Sequence, residues 1–358
     1  MDTVPVTGLD ELDQHLDQLV DDPTLTLNAK LFDDVELQLT ESNIPPLIPR
    51  FLPKLTTILK QYQQDPAVLS SMAIKLLGPV SFTQVLSLAS EESLIQALQS
   101  LAPSANILAM TVLEKAARSP GDAAILSTMA DLLAAFLRRW LAAPQVEVGE
   151  KGGKVLGDLL DIDCELPPPS QEAQQQEPLP RVLRKAPGQG KMWRRLFHDR
   201  DVYNLIIALC SGKDAETAAS AHQLSLAQGR LLRVLPRLAA LNFPAVTKSD
   251  LSSSGRGLLP FAALQMVDRR DMLMHLSLVD FFEAFVSITR VTEYSSYKIE
   301  TIRQLLREAT EDDNVLKAAL ESLPDRTVPE EADALRSWLR EIMPQQGTRV
   351  SGHWENGA

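Results

Sequence analysis

Ser119–Leu141 reads SPGDAAILSTMADLLAAFLRRWL, and the spacing of its apolar residues decides the fold. Ser119 is a favourable N-cap, and Pro120 suits the first helical position, where a missing N–H costs nothing. Apolar residues then recur three and four apart, as Ile125/Leu126, Met129, Leu132/Leu133, Phe136/Leu137 and Trp140/Leu141, until Pro144 marks a stop. The pattern predicts one long amphipathic helix. Burying its two-wide stripe is worth roughly 10 kcal/mol gross, at ~1.5–3 kcal/mol per large side chain before conformational entropy is set against it. A single helix has nothing to bury that stripe against, so it requires neighbours of the same kind.

Such neighbours lie on both sides. Similar signals predict helices at Pro46–Tyr62, Pro66–Leu77, Glu91–Leu101, Ser104–Ala117 and Val146–Asp161. Beyond the middle they continue at Met192–Ser211, Ala215–Leu241, Asp268–Thr289, Ser295–Ala309, Asp313–Ser322 and Pro329–Ile342. No stretch sustains the alternation of a half-buried strand, so the fold class is all-α. About sixteen helices at roughly 22 residues each put helix pairs at the ~40–47-residue period of HEAT or armadillo units. The expected architecture is a HEAT/armadillo-like helical-repeat solenoid, with globular all-α packing as its rival.

Four segments follow: helical repeats over 1–164, an insertion over 165–190, further repeats over 191–343 and a flexible tail over 344–358. The insertion, ELPPPSQEAQQQEPLPRVLRKAPGQG, is rich in Pro, Gln and Gly without apolar periodicity, which predicts disorder. A weaker break stands at Asn242–Arg256 (NFPAVTKSDLSSSGR).

Composition removes several function classes. Hydrophobic residues make up 45% of the chain but aromatic ones only 5%, so leucine and alanine must carry the packing. The formal charge of −12 works against the phosphate attraction on which nucleic-acid binders depend. Cys164 and Cys210 are far apart and lack His or Cys neighbours at ligand spacing, so neither a disulfide framework nor a zinc site is expected. The start, Met1-Asp2-Thr3-Val4-Pro5, has no basic or apolar leader, and the apolar runs fall short of the ~20 residues that span a bilayer. These readings lead to an expectation of a reducing intracellular compartment, cytoplasmic with the nucleus as alternative, and of no membrane partner.

Chemistry-bearing motifs fail on spacing. Gly149-Glu150-Lys151-Gly152-Gly153-Lys154-Val155 imitates a phosphate loop, but only three residues separate Gly149 from Gly153, and Val155 stands where a hydroxyl should meet the metal. A turn and loose helix start with solvent-facing lysines is the expectation there. Asp158, Asp161, Asp163 and Glu165 cluster without the Gly bend and distal Glu of a calcium loop, and are expected to be solvated. The histidines, His15, His198, His222, His275 and His353, never fall three or four apart, so no local metal pair or general-base motif exists. His275, within MLMHLSL, is expected to be a partly buried, hydrogen-bonded core residue. With no GxSxG either, neither enzymatic activity nor any cofactor is expected.

Two features remain as candidate surfaces. Arg181, Arg184, Lys185, Lys191, Arg194, Arg195 and Arg200 form a basic stretch, although Trp193 and Phe197 beside them read as core. The helix Asp268–Thr289 is apolar around most of its circumference and is expected to be central and packed on both sides, except for a strip of Ser277, Asp280, Glu283 and Ser287. In a solenoid the inner helix of each pair lines the groove. Asp280, Glu283 and Ser287, with Arg303 and Arg307 on the next helix, are thus the expected partner-binding residues, with plain solvent exposure as the alternative.

TVLEKAARSPGDAAILSTMADLLAAFLRRWLAAPQVEVGEKGGKVLGDLLDIDC (Thr111–Cys164), followed after the insertion by MWRRLFHDRDVYNLIIAL (Met192–Leu209), resembles the fungal high-spontaneous-mutation chaperone family. That family is also named as a mismatch-repair protein and is related to the animal proteasome non-ATPase regulatory subunit 5. The resemblance extends loosely from about Leu25 to Ile342. It implies a C-shaped HEAT-repeat protein that binds the C-terminal helical domain of a proteasomal ATPase subunit while the regulatory-particle base is assembled, and leaves the finished particle. Yeast and animal members are longer, so contact residues are not carried over one by one. The alternatives are a repair factor touching DNA through the basic stretch and a helical-repeat adaptor with another client.

Overall fold

A computed structural model of the protein describes residues 6–165 and 187–343. Most of the insertion, including Arg181, Arg184 and Lys185, lies outside the described residues, as does the tail with His353 and Trp354. Among the described residues the fold is all-α, and the one pairing of extended backbone is an isolated bridge between Lys248 and Arg256.

The chain runs through Leu9–Asp21, Ala29–Glu36, Ile48–Gln61, Ala67–Leu77, Phe82–Leu86, Glu91–Gln99 and Pro103–Ala116. It continues through Pro120–Ser127, Ala130–Ala142, Val146–Ile162, Lys191–Phe197, Arg200–Cys210, Ala215–Ala218, Ala221–Leu241 and Phe243–Thr247. The last helices are Leu258–Leu264, Met272–Arg290, Ser296–Thr310, Asn314–Ser322 and Pro329–Ile342. Each packs on the helices next to it in the stack. Pro103–Ala116, for example, lies against Ala67–Leu77, Glu91–Gln99 and Val146–Ile162, and Ala221–Leu241 packs on both Val146–Ile162 and Met272–Arg290. This near-neighbour order is the all-α helical-repeat stack that the periodicity predicts, with one apolar core running through it from Leu12 to Ile342.

The deciding stretch differs from expectation in one respect. Ser119 caps its helix by accepting from the Asp122 N–H, but the stretch forms two helices, Pro120–Ser127 and Ala130–Ala142, bent by 95°. Ser127 and Thr128 explain the break, because their hydroxyls bond back to the carbonyls of Ala124 and Ile125 and compete with the helical ladder. The Ser127 carbonyl freed at the corner accepts from Arg195 Nε at 2.8 Å. Met192–Ser211 and Ala215–Leu241 are likewise each two helices, because Asp199 and Ser220 act as N-caps inside the apolar pattern.

What ties one layer to the next is a set of side chains donating to carbonyls left free where helices end. Lys115 Nζ reaches the Leu77 carbonyl at 2.6 Å. Arg230 donates to Trp140 and Leu141 at 3.0 Å and to Gln145 at 2.9 Å. Lys298 Nζ gathers the carbonyls of Thr289, Thr292 and Glu293, at 3.2, 3.1 and 2.6 Å. Arg269 and Arg303 do the same for Ala309 and Glu341. A cation at a helix C-terminus also complements the dipole there.

Close packing accounts for Gly149 and Gly152 of the string that imitates a phosphate loop, and for Gly157 just beyond it. Gly149, Gly152 and Gly157 lie within the continuous helix Val146–Ile162, so the expected turn and loose start is absent. A Cβ on them would come within 2.1 Å of Arg230, 2.6 Å of Trp140 and 2.4 Å of Arg237. The glycines are slots for side chains of adjoining helices. The lysines are not merely solvated, since Lys151 and Lys154 both pair with Glu114, and Lys154 also meets Asp158 at 2.8 Å. Burial opposes ionisation of Glu114, yet the two lysines hold its carboxyl below the usual range.

Of the acidic cluster only Glu165 is solvated as expected. Asp158 pairs with Arg237 at 2.9 Å, and Asp161, fully buried, lies 3.4 Å from the same guanidinium. Asp163, fully buried as well, clasps both ends of the insertion. Its carboxylate accepts from the N–H of Met192 at 2.6 Å and of Gln189 at 3.2 Å, and its carbonyl accepts from Gly190 at 2.9 Å. Burial pushes the Asp163 carboxyl up despite these N–H donors. Glu165 pairs with Arg194.

Candidate functional site

The candidate surface is built on Met272–Arg290. Asp271 starts this helix by accepting from the N–H of Leu273 and Met274 at 3.0 and 3.2 Å. Leu278, Phe281, Phe282, Phe285 and Val286 then turn inward, with Phe281 and Phe285 stacked at 5.8 Å. The helix is long and apolar enough to cross a bilayer, but half of that window is buried inside the protein, as in a core helix. His275 is partly buried and bonded to Asp313 Oδ2 at 2.7 Å, as its sequence setting predicts.

The first turns depart from the expectation of packing on both sides. Met272, Leu273 and Leu276 are 78%, 71% and 50% exposed. An all-round apolar pattern cannot say which side lacks a neighbour, and here the uncovered side carries three large aliphatic groups. Exposed Asp280 continues the same side one turn on.

The five expected partner-binding residues divide. Glu283 is held by Arg326, which also donates to the Ala319 carbonyl at 2.9 Å, and the bond to Glu283, with Asp280 adding to it, raises the Arg326 guanidinium pKa further. Ser287 bonds to the Glu283 carbonyl of its own helix at 2.8 Å. Arg303 spends Nε on Glu341, at 2.9 Å. Asp280 and Arg307 are exposed. The acids belong to Met272–Arg290 and the arginines to Ser296–Thr310, and both of these helices pack against Asn314–Ser322 and Pro329–Ile342.

Elsewhere a concavity of about 650 Å³ opens between Ile48–Gln61 and Pro103–Ala116, floored by Ala73, Ala97 and Ala109 and rimmed by Gln63, Gln64 and Gln96. The described part of the basic stretch lies on Lys191–Phe197 and Arg200–Cys210. Trp193 and Phe197 are core there, stacked at 5.3 Å, with Trp193 Nε1 donating to the Leu160 carbonyl at 2.8 Å. Among the described residues no three His, Cys, Asp or Glu side chains converge as metal ligands. Cys164 and Cys210 are both buried, and Cys164 Sγ lies 3.3 Å from the Leu241 carbonyl. The residues that sequence reasoning missed are the buried cations Lys115 and Lys298 and the half-buried Arg230. Their signal was a charged side chain set among apolar positions, as in Leu113-Glu114-Lys115-Ala116 and Lys298-Ile299.

A stack of paired helices with one continuous core, cation-capped layer joints and a partly apolar exposed edge defines a helical-repeat protein. Residues 8–138 match the family model described as DNA mismatch repair protein HSM3, N terminal domain. No curated protein matches the chain.

Proposed function

We propose that the protein is a non-catalytic assembly chaperone of the cytoplasm that grips the C-terminal helical domain of a proteasomal ATPase subunit while the regulatory-particle base is built. The observation carrying this reading is the edge where Met272, Leu273 and Leu276 stand exposed beside Asp280. Large aliphatic groups left in water on a well-packed helix are the anchors a protein partner buries, and a nearby carboxylate adds orientation and on-rate. The resemblance of Thr111–Cys164 and Met192–Leu209 to the chaperone family supplies the client class. Affinity purification from the native cell followed by mass spectrometry tests it: a proteasomal ATPase subunit should be enriched, and its absence removes the proposal.

The family description supports a second reading, a repair factor that touches DNA through Lys191, Arg194, Arg195 and Arg200. Against it, Arg194 and Arg195 already pair with Glu165 and Asp199. Salt-dependent retention on duplex DNA, lost when these four become alanine, would favour it over the chaperone.

A further inference from the structure

The corner between Pro120–Ser127 and Ala130–Ala142 has a use that the chaperone reading does not absorb. Ser127 and Thr128 form one wall of a cleft of about 360 Å³, and Lys191, Arg194, Arg195 and His198 form the other. These four recur at three- and four-residue spacing around Lys191–Phe197, so one face of a single short helix presents them together. Trp193, Leu196 and Phe197 anchor its opposite face in the core. Among the described residues Asp199 is the one carboxylate lining the cleft, and it is committed to Arg195 and to capping the next helix through the N–H of Asp201 and Val202.

Free donors remain. Arg195 uses Nε on Ser127 and Nη1 on Asp199, which leaves Nη2 with no partner among the described residues. Lys191 is exposed and has no ion pair there either. Arg194 is fixed from behind by the Gln189 carbonyl at 2.6 Å and by Glu165 at 3.1 Å, so its guanidinium is held in place. In a chain of net charge −12 this is a local reversal of sign with rigid support.

We infer that this cleft binds a single phosphate monoester, carried on a phosphorylated side chain of a partner protein. The acids around the cleft decide between phosphate sources. Glu165 lies beyond Arg194, and Asp250 stands 4.0 Å from His198. A nucleic-acid strand leaving the cleft would carry its next phosphates onto those carboxylates, whereas one phosphoryl group, with about −1.5 to −2 charges and three acceptor oxygens, meets the donors of the cleft and only the already bonded Asp199 among its acids.

The test uses the full chain and a short alanine peptide bearing one phosphoserine, with its unphosphorylated form and a ten-nucleotide single strand as comparators, followed by calorimetry and backbone amide NMR. The phosphopeptide is expected to bind and to shift the signals of 127–128 and 191–199, while the unphosphorylated peptide does neither. Lys191→Ala with His198→Ala should weaken that binding at least tenfold and leave the melting temperature unchanged, since both side chains are exposed. Absence of phosphopeptide binding at millimolar concentration, equal binding without the phosphate, affinity that survives the double substitution, or tighter binding of the oligonucleotide would each overturn the inference.

Discussion

Gly152 lies directly beneath the indole of Trp140, so close that a Cβ on Gly152 would come within 2.6 Å of Trp140 Cδ1 and 2.8 Å of its Cβ. The indole is fully buried and cannot swing aside. Gly152→Ala should therefore destabilise the protein by about 1–3 kcal/mol of overpacking, although alanine is the better helix former by about 1 kcal/mol. Gly229, within Ala221–Leu241, has nothing within 4 Å of its would-be Cβ, and Gly229→Ala should stabilise by up to about 1 kcal/mol. Urea denaturation of the two variants should show opposite signs.

Lys115 and Lys298 give stability a pH dependence. Burial lowers each ammonium from its ordinary range to about 8, Arg118 adding to the effect at Lys115. Between about 8 and the unfolded value near 10.5 the unfolded chain binds more protons, so stability rises with pH in that window. The contribution is complete above the unfolded value and lost as pH falls through about 8. The gain of the wild type over Lys115→Met with Lys298→Met should grow between pH 8 and 10.5, on the order of 1 kcal/mol per lysine. Denaturation curves with equal pH slopes for both proteins would refute this.

Asp163 should be the costliest of the acids near the insertion to remove. Asp163→Ala leaves the buried N–H of Met192 without its acceptor and removes the part-buried bond from the Gln189 N–H, and a loss of about 2–3 kcal/mol is expected. Glu165→Ala, which removes an ion pair exposed on both sides, should cost less than about 1 kcal/mol. Thermal unfolding of the two variants ranks them.

The exposed edge can be altered without harm to the core. Leu273→Glu with Leu276→Glu is expected to change stability by no more than about 0.5 kcal/mol for each site. Capture of the ATPase domain should weaken at least tenfold, about 1.4 kcal/mol. Retained affinity in a well-folded double variant would move the docking surface elsewhere.

Helix class and much of the stack were legible because Leu132/Leu133, Phe136/Leu137 and Trp140/Leu141 repeat at the helical period, and all of them are buried. The 95° corner was hidden because Ser127 and Thr128 break the ladder with their own hydroxyls while the apolar spacing continues through them. The glycines of Val146–Ile162 misled for a related reason: a slot for Trp140 or Arg230 is made by residues distant in sequence, and the local string holds no trace of them. At the candidate surface, Asp280 and Arg307 were recognisable as exposed, whereas the bonds from Arg326 to Glu283 and from Arg303 to Glu341 depend on which helices become neighbours.

Two ridges of leucine resist being pulled apart but offer little against slipping by one notch, since the next hole is as apolar as the last. Arg230, held at once by Trp140, Leu141 and Gln145, finds no equivalent seat one turn away, and neither does Lys298 among Thr289, Thr292 and Glu293. Each layer is thereby keyed to the next like a toothed wheel, and the pitch of the stack is set before any visitor arrives.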